Sequence, residues 1–330
     1  MHDLIIIGSG PAGLSAALAA KRRQLDCLVI ERGFIADTVY HYPIARPLFS
    51  TSNEIEIEQG ALGRDRKPTR EEVLAHYAQV IKREQINIRT NEEAQNVTAF
   101  EGGFLVTTSA GRYQARAVLM AVGGFGRQRK LNVPGESPAR VSYRFSEAQS
   151  YAAKPVLVVG GGNSAAEASL FLEEADAKVT LSIRCSALDE ASSTSAAKIK
   201  PWVLEPLERL ESEGRINILR SSQVIEIRSQ SALLQIASAD TSDIIEVSCD
   251  HIFALIGADP DTRLLREAGA EIASDGRPVY SEDYETTVPG LYVAGQVTRE
   301  MHMKSAIEIG RKVVDRIASK VYEESLACGD

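Results

Sequence analysis

The stretch LIIIGSGPAGLSAALAA, residues 4–20, decides the fold. Leu4–Ile7 is a continuous apolar run, the pattern of a parallel strand buried on both faces. Gly8-Ser9-Gly10-Pro11-Ala12-Gly13 then reads G-x-G-x-x-G. In that pattern the first glycine permits a tight turn, the second lets the backbone approach a pyrophosphate, and the third lets the helix pack on the strand. A helix over 14–23 follows, so its free N–H groups and positive dipole end face the phosphates. A second apolar strand, CLVIERG (27–33), carries Glu31 18 residues after Gly13. A carboxylate there accepts hydrogen bonds from both hydroxyls of a ribose. The glycine pattern alone is a weak signal, but strand, loop, helix, strand and acid in that order are a strong one.

The same design recurs in VLVVGGGNSAAEASLFL (156–172), where Gly160 stands 152 residues after Gly8. Val156–Val159 is the strand, Gly160-Gly161-Gly162-Asn163-Ser164-Ala165 the loop, and 165–174 the helix. In the next strand, KVTLSIRC (178–185), Arg184 is expected at the acid's position. A guanidinium there pairs with a 2′-phosphate that a carboxylate would repel, which favours NADPH over NADH; the competing view is a solvated strand-end charge. Two dinucleotide cradles in one chain imply hydride transfer from a nicotinamide at 156–172 to a flavin whose ADP half lies at 4–20. A flavin takes hydride and releases electrons singly or in pairs, so this half-reaction requires no catalytic acid or base.

The bulk properties agree. A chain of 330 residues, 44% hydrophobic and 25% charged, suits a globular α/β protein with a sizeable core. A net charge of −8 argues against nucleic acid or an anionic membrane surface as a partner. The apolar start is not expected to be a signal peptide, because Asp3 precedes it and Lys21-Arg22-Arg23 follow. Its glycines also interrupt it short of the roughly 20 apolar residues of a membrane span, so a cytoplasmic location is expected. The four cysteines (27, 185, 249 and 328) form no CxxC, and with five histidines no metal-binding pattern emerges.

The expected architecture is α/β, with two Rossmann-like dinucleotide-binding domains. Residues 1–121 begin the first, with a helix over 69–84 capped by Thr69 and a β-hairpin near 94–119. Residues 124–251 form the inserted second domain and 252–330 complete the first. RAVLMAVGGFG (116–126) is an apolar strand running into glycines; these and Gly257 are candidate hinges. TTVPGLYVAGQV (286–297) reads as turn, buried strand, and Ala294-Gly295-Gln296 at the strand's carboxyl end, where ligands sit in open α/β sheets. Apolar residues at helical spacing from Ala306 to Val321 mark a closing helix over about 304–324.

The order GSGPAG (8–13), GGGNSAAEA (160–168), PGLYVAG (289–295) resembles the thioredoxin reductase family of flavoproteins over essentially the whole chain. VYHYP (39–43), FSTSNEIEIE (49–58), KPTREEVLAHY (67–77) and IKPWVLEPLERL (199–210) are similar to its bacillithiol disulfide reductase branch. The resemblance implies FAD at the first loop, NADPH at the second, and a homodimer or larger homo-oligomer. Gly8, Gly10, Pro11, Ala12, Gly13 and Glu31 would hold FAD together with Arg32, Tyr42, Ser50, Thr51, Val97, Ala121, Gly123, Gly295, Gln296, Lys304 and Ser305. Gly160, Gly162, Asn163, Ser164 and Arg184 would hold NADPH. The resemblance also places Tyr40, His41 and the Phe49–Ser52 segment beside the flavin ring, with packing as the competing role; Trp202 closes over a nucleotide or buries a surface.

The departures from the family are chemical. Its CxxC is missing, and Ala12 stands where the bacillithiol branch has a cysteine after the loop proline. The usual His-Arg-Arg is Ile183-Arg184-Cys185, and the usual Gly-Asp is Gly295-Gln296. Loss of that carboxylate raises a flavin's potential, as would cations at Lys304 and His302. Cys27 and Cys249 read as inert core thiols, Cys185 lies beside the proposed 2′-phosphate site, and Cys328 is in the tail. The expected function is therefore an NAD(P)H-dependent FAD oxidoreductase that passes electrons to a small molecule or redox protein without a dithiol of its own. The alternatives are a bacillithiol-type disulfide reductase, a flavin monooxygenase, and an electron-transfer or sensor flavoprotein with a vestigial nicotinamide site.

Overall fold

The apolar run Leu4–Ile7 becomes the end of the strand His2–Ile7, central in a seven-stranded sheet. The structure is a computed structural model that describes all residues except 59, 64, 65, 189–198, 238–240, 301 and 328–330, with 322–327 as backbone alone. The chain divides into two compact units, residues 1–127 with 259–330, and residues 128–258.

In the first unit the strand order is Ile88–Arg89, Cys27–Ile30, His2–Ile7, Arg112–Met120, Gly103–Thr108, Ala94–Phe100. The expected hairpin near 94–119 is thus a three-stranded meander. Its last strand changes partners along its length. Arg112–Ala115 pairs antiparallel with Phe104–Thr107, and Val118–Met120 pairs parallel with Leu291–Val293. Ile7, Met120 and Val293 therefore end side by side, and the turns that follow all three strands open on one edge of the sheet.

The first helix begins earlier than expected, at Pro11, and runs to Arg22; proline at the first position lacks only an N–H that the helix leaves unbonded anyway. The closing helix, Met303–Ala327, lies across it on a stripe of small residues. A Cβ on Gly310 would stand 2.3 Å from the Ala12 carbonyl oxygen, so only glycine permits that crossing. The helix Arg70–Glu84 is capped as expected. Thr69 Oγ1 accepts from the Glu72 N–H and Glu72 accepts from the Thr69 N–H, a reciprocal capping box.

Gly13 shows how tightly the first turn is packed. A Cβ there would lie 2.0 Å from the Gly8 carbonyl oxygen. Gly13→Ala is therefore expected to lower stability by roughly 1–3 kcal/mol, read as a drop in the denaturant midpoint, because the helix must move off the strand turn.

The second unit centres on a parallel five-stranded sheet: Ile216–Leu219, Lys178–Ser182, Pro155–Val159, His251–Ala254, Val141–Ser142. The strand His251–Ala254 belongs to this sheet, so the unit extends past residue 251 to 258. An antiparallel sheet of Ser222–Ile227, Ser231–Ala237 and Ser242–Ser248 packs with it around Leu157, Val224, Leu234 and Ile252. Its helices are Asn163–Glu174 and Pro201–Ser212, the latter carrying a half-exposed Trp202. Among the described residues no helix is long and apolar enough to cross a membrane, and no group of three His, Cys, Asp or Glu is placed to hold a metal.

Candidate dinucleotide cradles

The two glycine turns are built alike, contact for contact. Gly8 donates its N–H to the Ile30 carbonyl (2.8 Å), and Ala121 donates to Ile7 (2.8 Å). In the second unit Gly160 donates to Ser182 (3.0 Å), and Leu255 donates to Val159 (2.8 Å). Gly8 has φ +107° and Gly160 φ +143°, and a Cβ on either would lie 2.4 Å from a carbonyl oxygen, of Ala121 and Leu255 respectively. Each first glycine is thus fixed by its own protein neighbours.

The second glycines differ in kind. Gly10 and Gly162 sit just before their helices in extended backbone that any residue adopts, and a Cβ on either meets nothing within 4 Å. The protein does not need glycine there; the open space before it does. Behind that space start the helices Pro11–Arg22 and Asn163–Glu174, with no side chain capping their first N–H groups. Those groups and the helix dipole suit an anion. Both cradles therefore fit the pyrophosphate of a dinucleotide.

Glu31 does more than wait for a ribose. Its Oε2 accepts from the N–H and the hydroxyl of Ser9 (2.8 and 2.9 Å), and its Oε1 accepts from the Gly33 N–H (2.8 Å). Ser9 is 0% exposed and Glu31 7%, so the carboxylate ties the glycine loop to the end of the neighbouring strand. Oε2 has both lone pairs engaged, which leaves Oε1 to meet a ligand. Ser9 was not among the expected site residues, although it occupies an open position of the glycine pattern.

The second cradle corrects one expectation. Ile7 pairs with Ile30 and Val159 with Ser182, so the counterpart of Glu31 is Ile183, and Arg184 matches Arg32. Ile183 is buried, so the second cradle replaces the acid with an apolar residue. Arg184 is exposed one residue further on. Asn163 is held in place, its Oδ1 accepting from the Lys200 N–H at 2.9 Å, and Ser164 is exposed at the helix start.

Around the first cradle the structure brings three turns together. A Cβ on Gly295 (φ +78°) would lie 3.0 Å from Ala12 Cβ, and one on Gly124 3.0 Å from Gln296 Cβ. Gly123 (φ +74°) faces open space. Lys304 and Ser305 open the closing helix, Lys304 exposed and Ser305 half-buried. Two groups of expected residues have evident structural work. Thr51 caps the short helix Ser52–Ile55, next to Ser50, and Val97 is buried in the meander opposite Val106. Tyr42 packs beside Arg46, whose guanidinium lies 5.5 Å from its ring and 4.7 Å from that of Phe49. The carbonyl oxygens of Tyr40 and Tyr42 accept from Arg70, and His41 Nδ1 lies 2.8 Å from the Asp37 carbonyl. Arg32 is exposed beside Glu31.

The described thiols are free. Burial and the carboxylates of Asp26 and Asp3 push the Cys27 thiol far up. Burial also raises Cys249, against the opposing charge of Arg140. Cys185 is half-buried, and Cys328 lies outside the described residues.

Comparison with known proteins adds the family. The model of the pyridine nucleotide-disulphide oxidoreductases matches residues 5–295. The chain is 33% identical to bacilliredoxin reductase Bdr of Bacillus subtilis (strain 168), over 96% of each chain. It is 26% identical to a ferredoxin–NADP reductase of Ignicoccus hospitalis over 90% of each. Among solved structures, bacillithiol disulfide reductase Bdr from Bacillus cereus superposes with a TM-score of 0.88 at 31% identity, covering 97% of this chain and 99% of that one. The α/β, thioredoxin reductase-like fold expected from the sequence is the one observed.

Proposed function

The chain belongs to the pyridine nucleotide-disulphide oxidoreductase family, and on that premise we propose how its two cradles divide the work. It is an NAD(P)H-dependent flavoprotein oxidoreductase whose cofactors are FAD and NADPH. We assign FAD to the unit of residues 1–127 and 259–330, and NADPH to residues 128–258. The open spaces before Gly10 and Gly162 support two bound nucleotides, and Glu31 in one cradle against Ile183 and Arg184 in the other supports which goes where.

Bound FAD supplies a two-electron carrier between the nicotinamide and an acceptor. The chain's own residues bind and orient. Gly8 through Gly13 shape the pyrophosphate cradle, and Glu31 turns Oε1 to the ribose. Ala121, Gly123, Gly295 and Gln296 border the space beyond, with Lys304 and Ser305 at its rim and Arg32, Tyr42, Ser50, Thr51 and Val97 contributing through backbone or packing. In the other unit Gly160, Gly162, Asn163 and Ser164 form the cradle, and the exposed Arg184 offers a cation to a 2′-phosphate where Ile183 offers no competing acid.

No thiol of this chain would be needed for electrons to pass to the acceptor. Ala12 stands at the turn nearest Gly295, and two of the three described thiols are held protonated by burial. A second reading is favoured by the relatives called bacilliredoxin reductase and bacillithiol disulfide reductase: the acceptor is itself a disulfide, small or carried by a redoxin, and brings its own thiol chemistry. We also propose a cytoplasmic location and a homodimer, the latter an assembly that the resemblance to the thioredoxin reductase family implies.

A variant with all four cysteines changed to serine tests the thiol-free reading. Its NADPH-dependent turnover on a panel of acceptors is expected to stay within about twofold of wild type. Loss of turnover on every acceptor, with flavin reduction intact, would return a cysteine to the mechanism.

A further inference from the structure

Arg277 lies far in sequence from every glycine motif, yet it grips the turn that borders the first cradle. It stands in a tight turn where Ala273 donates its N–H to the Arg277 carbonyl (2.8 Å) and the Arg277 N–H donates to Asp275 (3.1 Å). Its guanidinium Nη1 donates to the carbonyl of Gln296 at 2.7 Å and also to that of Thr298. Asp275 meanwhile pairs with Arg299 at 3.3 Å, so one turn fastens the segment 296–299 from behind. The other side of that segment is the cradle side, where Gln296 Cβ approaches Gly124 and Gly295 approaches Ala12.

We propose that Arg277 is a positioning residue for the flavin, acting through the turn Gly295–Thr298. This rests on the assignment of FAD to the first cradle. Two carbonyls fastened to one guanidinium nitrogen, Nη1, fix two peptide planes, because the peptide unit does not bend. Fastening the Gln296 carbonyl to Arg277 directs the Val297 N–H, in the same plane, away from the guanidinium. The half-buried cation also sits one peptide behind the cradle, where water screens it poorly, and a positive charge there favours electrons arriving on a ring in front of it. Arg277 thus both sets the turn's geometry and raises the flavin's reduction potential.

The test compares FAD-loaded wild type with Arg277→Met and Arg277→Lys by anaerobic titration against a redox dye, alongside FAD dissociation constants and thermal melts. Arg277→Met is expected to move the potential in the negative direction and weaken FAD binding by about tenfold. Arg277→Lys keeps the charge but not the reach and planar aim of the Nη1 donors, so it restores most of the potential and less of the affinity. A potential in Arg277→Met equal to wild type overturns the proposal. Should that variant not fold, an unchanged potential and affinity in Arg277→Lys overturns it equally. A wild-type chain that takes up no FAD overturns the flavin assignment instead, and is seen before either variant is read.

Discussion

Replacing Gly10 with valine yields a folded protein that is colourless. The expectation follows from a contrast inside one loop. Gly8 must be glycine for the protein's own sake, since its φ is +107° and a Cβ would strike Ala121. Gly10 has φ −68° and ψ −179°, extended backbone that valine adopts readily, and nothing lies within 4 Å of the site of its Cβ. The new side chain therefore fills only the space before the helix Pro11–Arg22, where the pyrophosphate must approach. Affinity for FAD should fall at least about 100-fold, roughly 3 kcal/mol, while the melting temperature of the apoprotein stays near that of wild-type apoprotein. Fluorescence titration of added FAD reads the first quantity and a thermal melt the second. Wild-type FAD affinity in Gly10→Val would mean that the open space serves something else.

Gly162→Val is the companion experiment, and its outcome should be the reverse in colour. The same geometry recurs at the start of Asn163–Glu174, with open space before Gly162 and an internal clash at Gly160. The variant should purify yellow, because the first unit is untouched. Under anaerobic conditions dithionite should still bleach it, whereas NADPH should bleach it at least about 100-fold more slowly than wild type. Fast bleaching by NADPH would place the nicotinamide nucleotide elsewhere. The two valine variants together separate flavin binding from flavin reduction, which no single substitution does.

Much of this was legible in the sequence because glycine loops state their geometry locally. Strand, turn and helix around Gly8–Gly13 and Gly160–Ala165 follow from apolar runs and glycines that only a few conformations satisfy. The same locality let Thr69 announce the start of the helix Arg70–Glu84. Arg184 draws the eye as the charged residue at the strand's end, yet it lies one residue beyond the acid's position. The distance from Gly8 to Glu31 is 23 residues, and the same distance from Gly160 reaches Ile183, the residue the sheet register selects. The signal was there, in the count from the first glycine.

Other parts were not legible, for a physical reason. Ser9 differs from any small loop residue only because Glu31 folds back on it. Arg277 lies in a turn without periodicity, and its partners are backbone carbonyls, which carry no residue-type signature. The stripe that lets Met303–Ala327 cross Pro11–Arg22 shows in sequence only as scattered alanines and Gly310. Contacts between distant segments are written in geometry, and only the fold brings them out.

The most direct test mixes the FAD-loaded wild-type chain rapidly with excess NADPH in the absence of oxygen and follows the flavin's visible band. Two cradles that serve one electron path require that band to bleach within the time of a catalytic turnover, and faster with NADPH than with NADH. A flavin that stays oxidised with both nucleotides, yet is bleached by dithionite, would contradict the account.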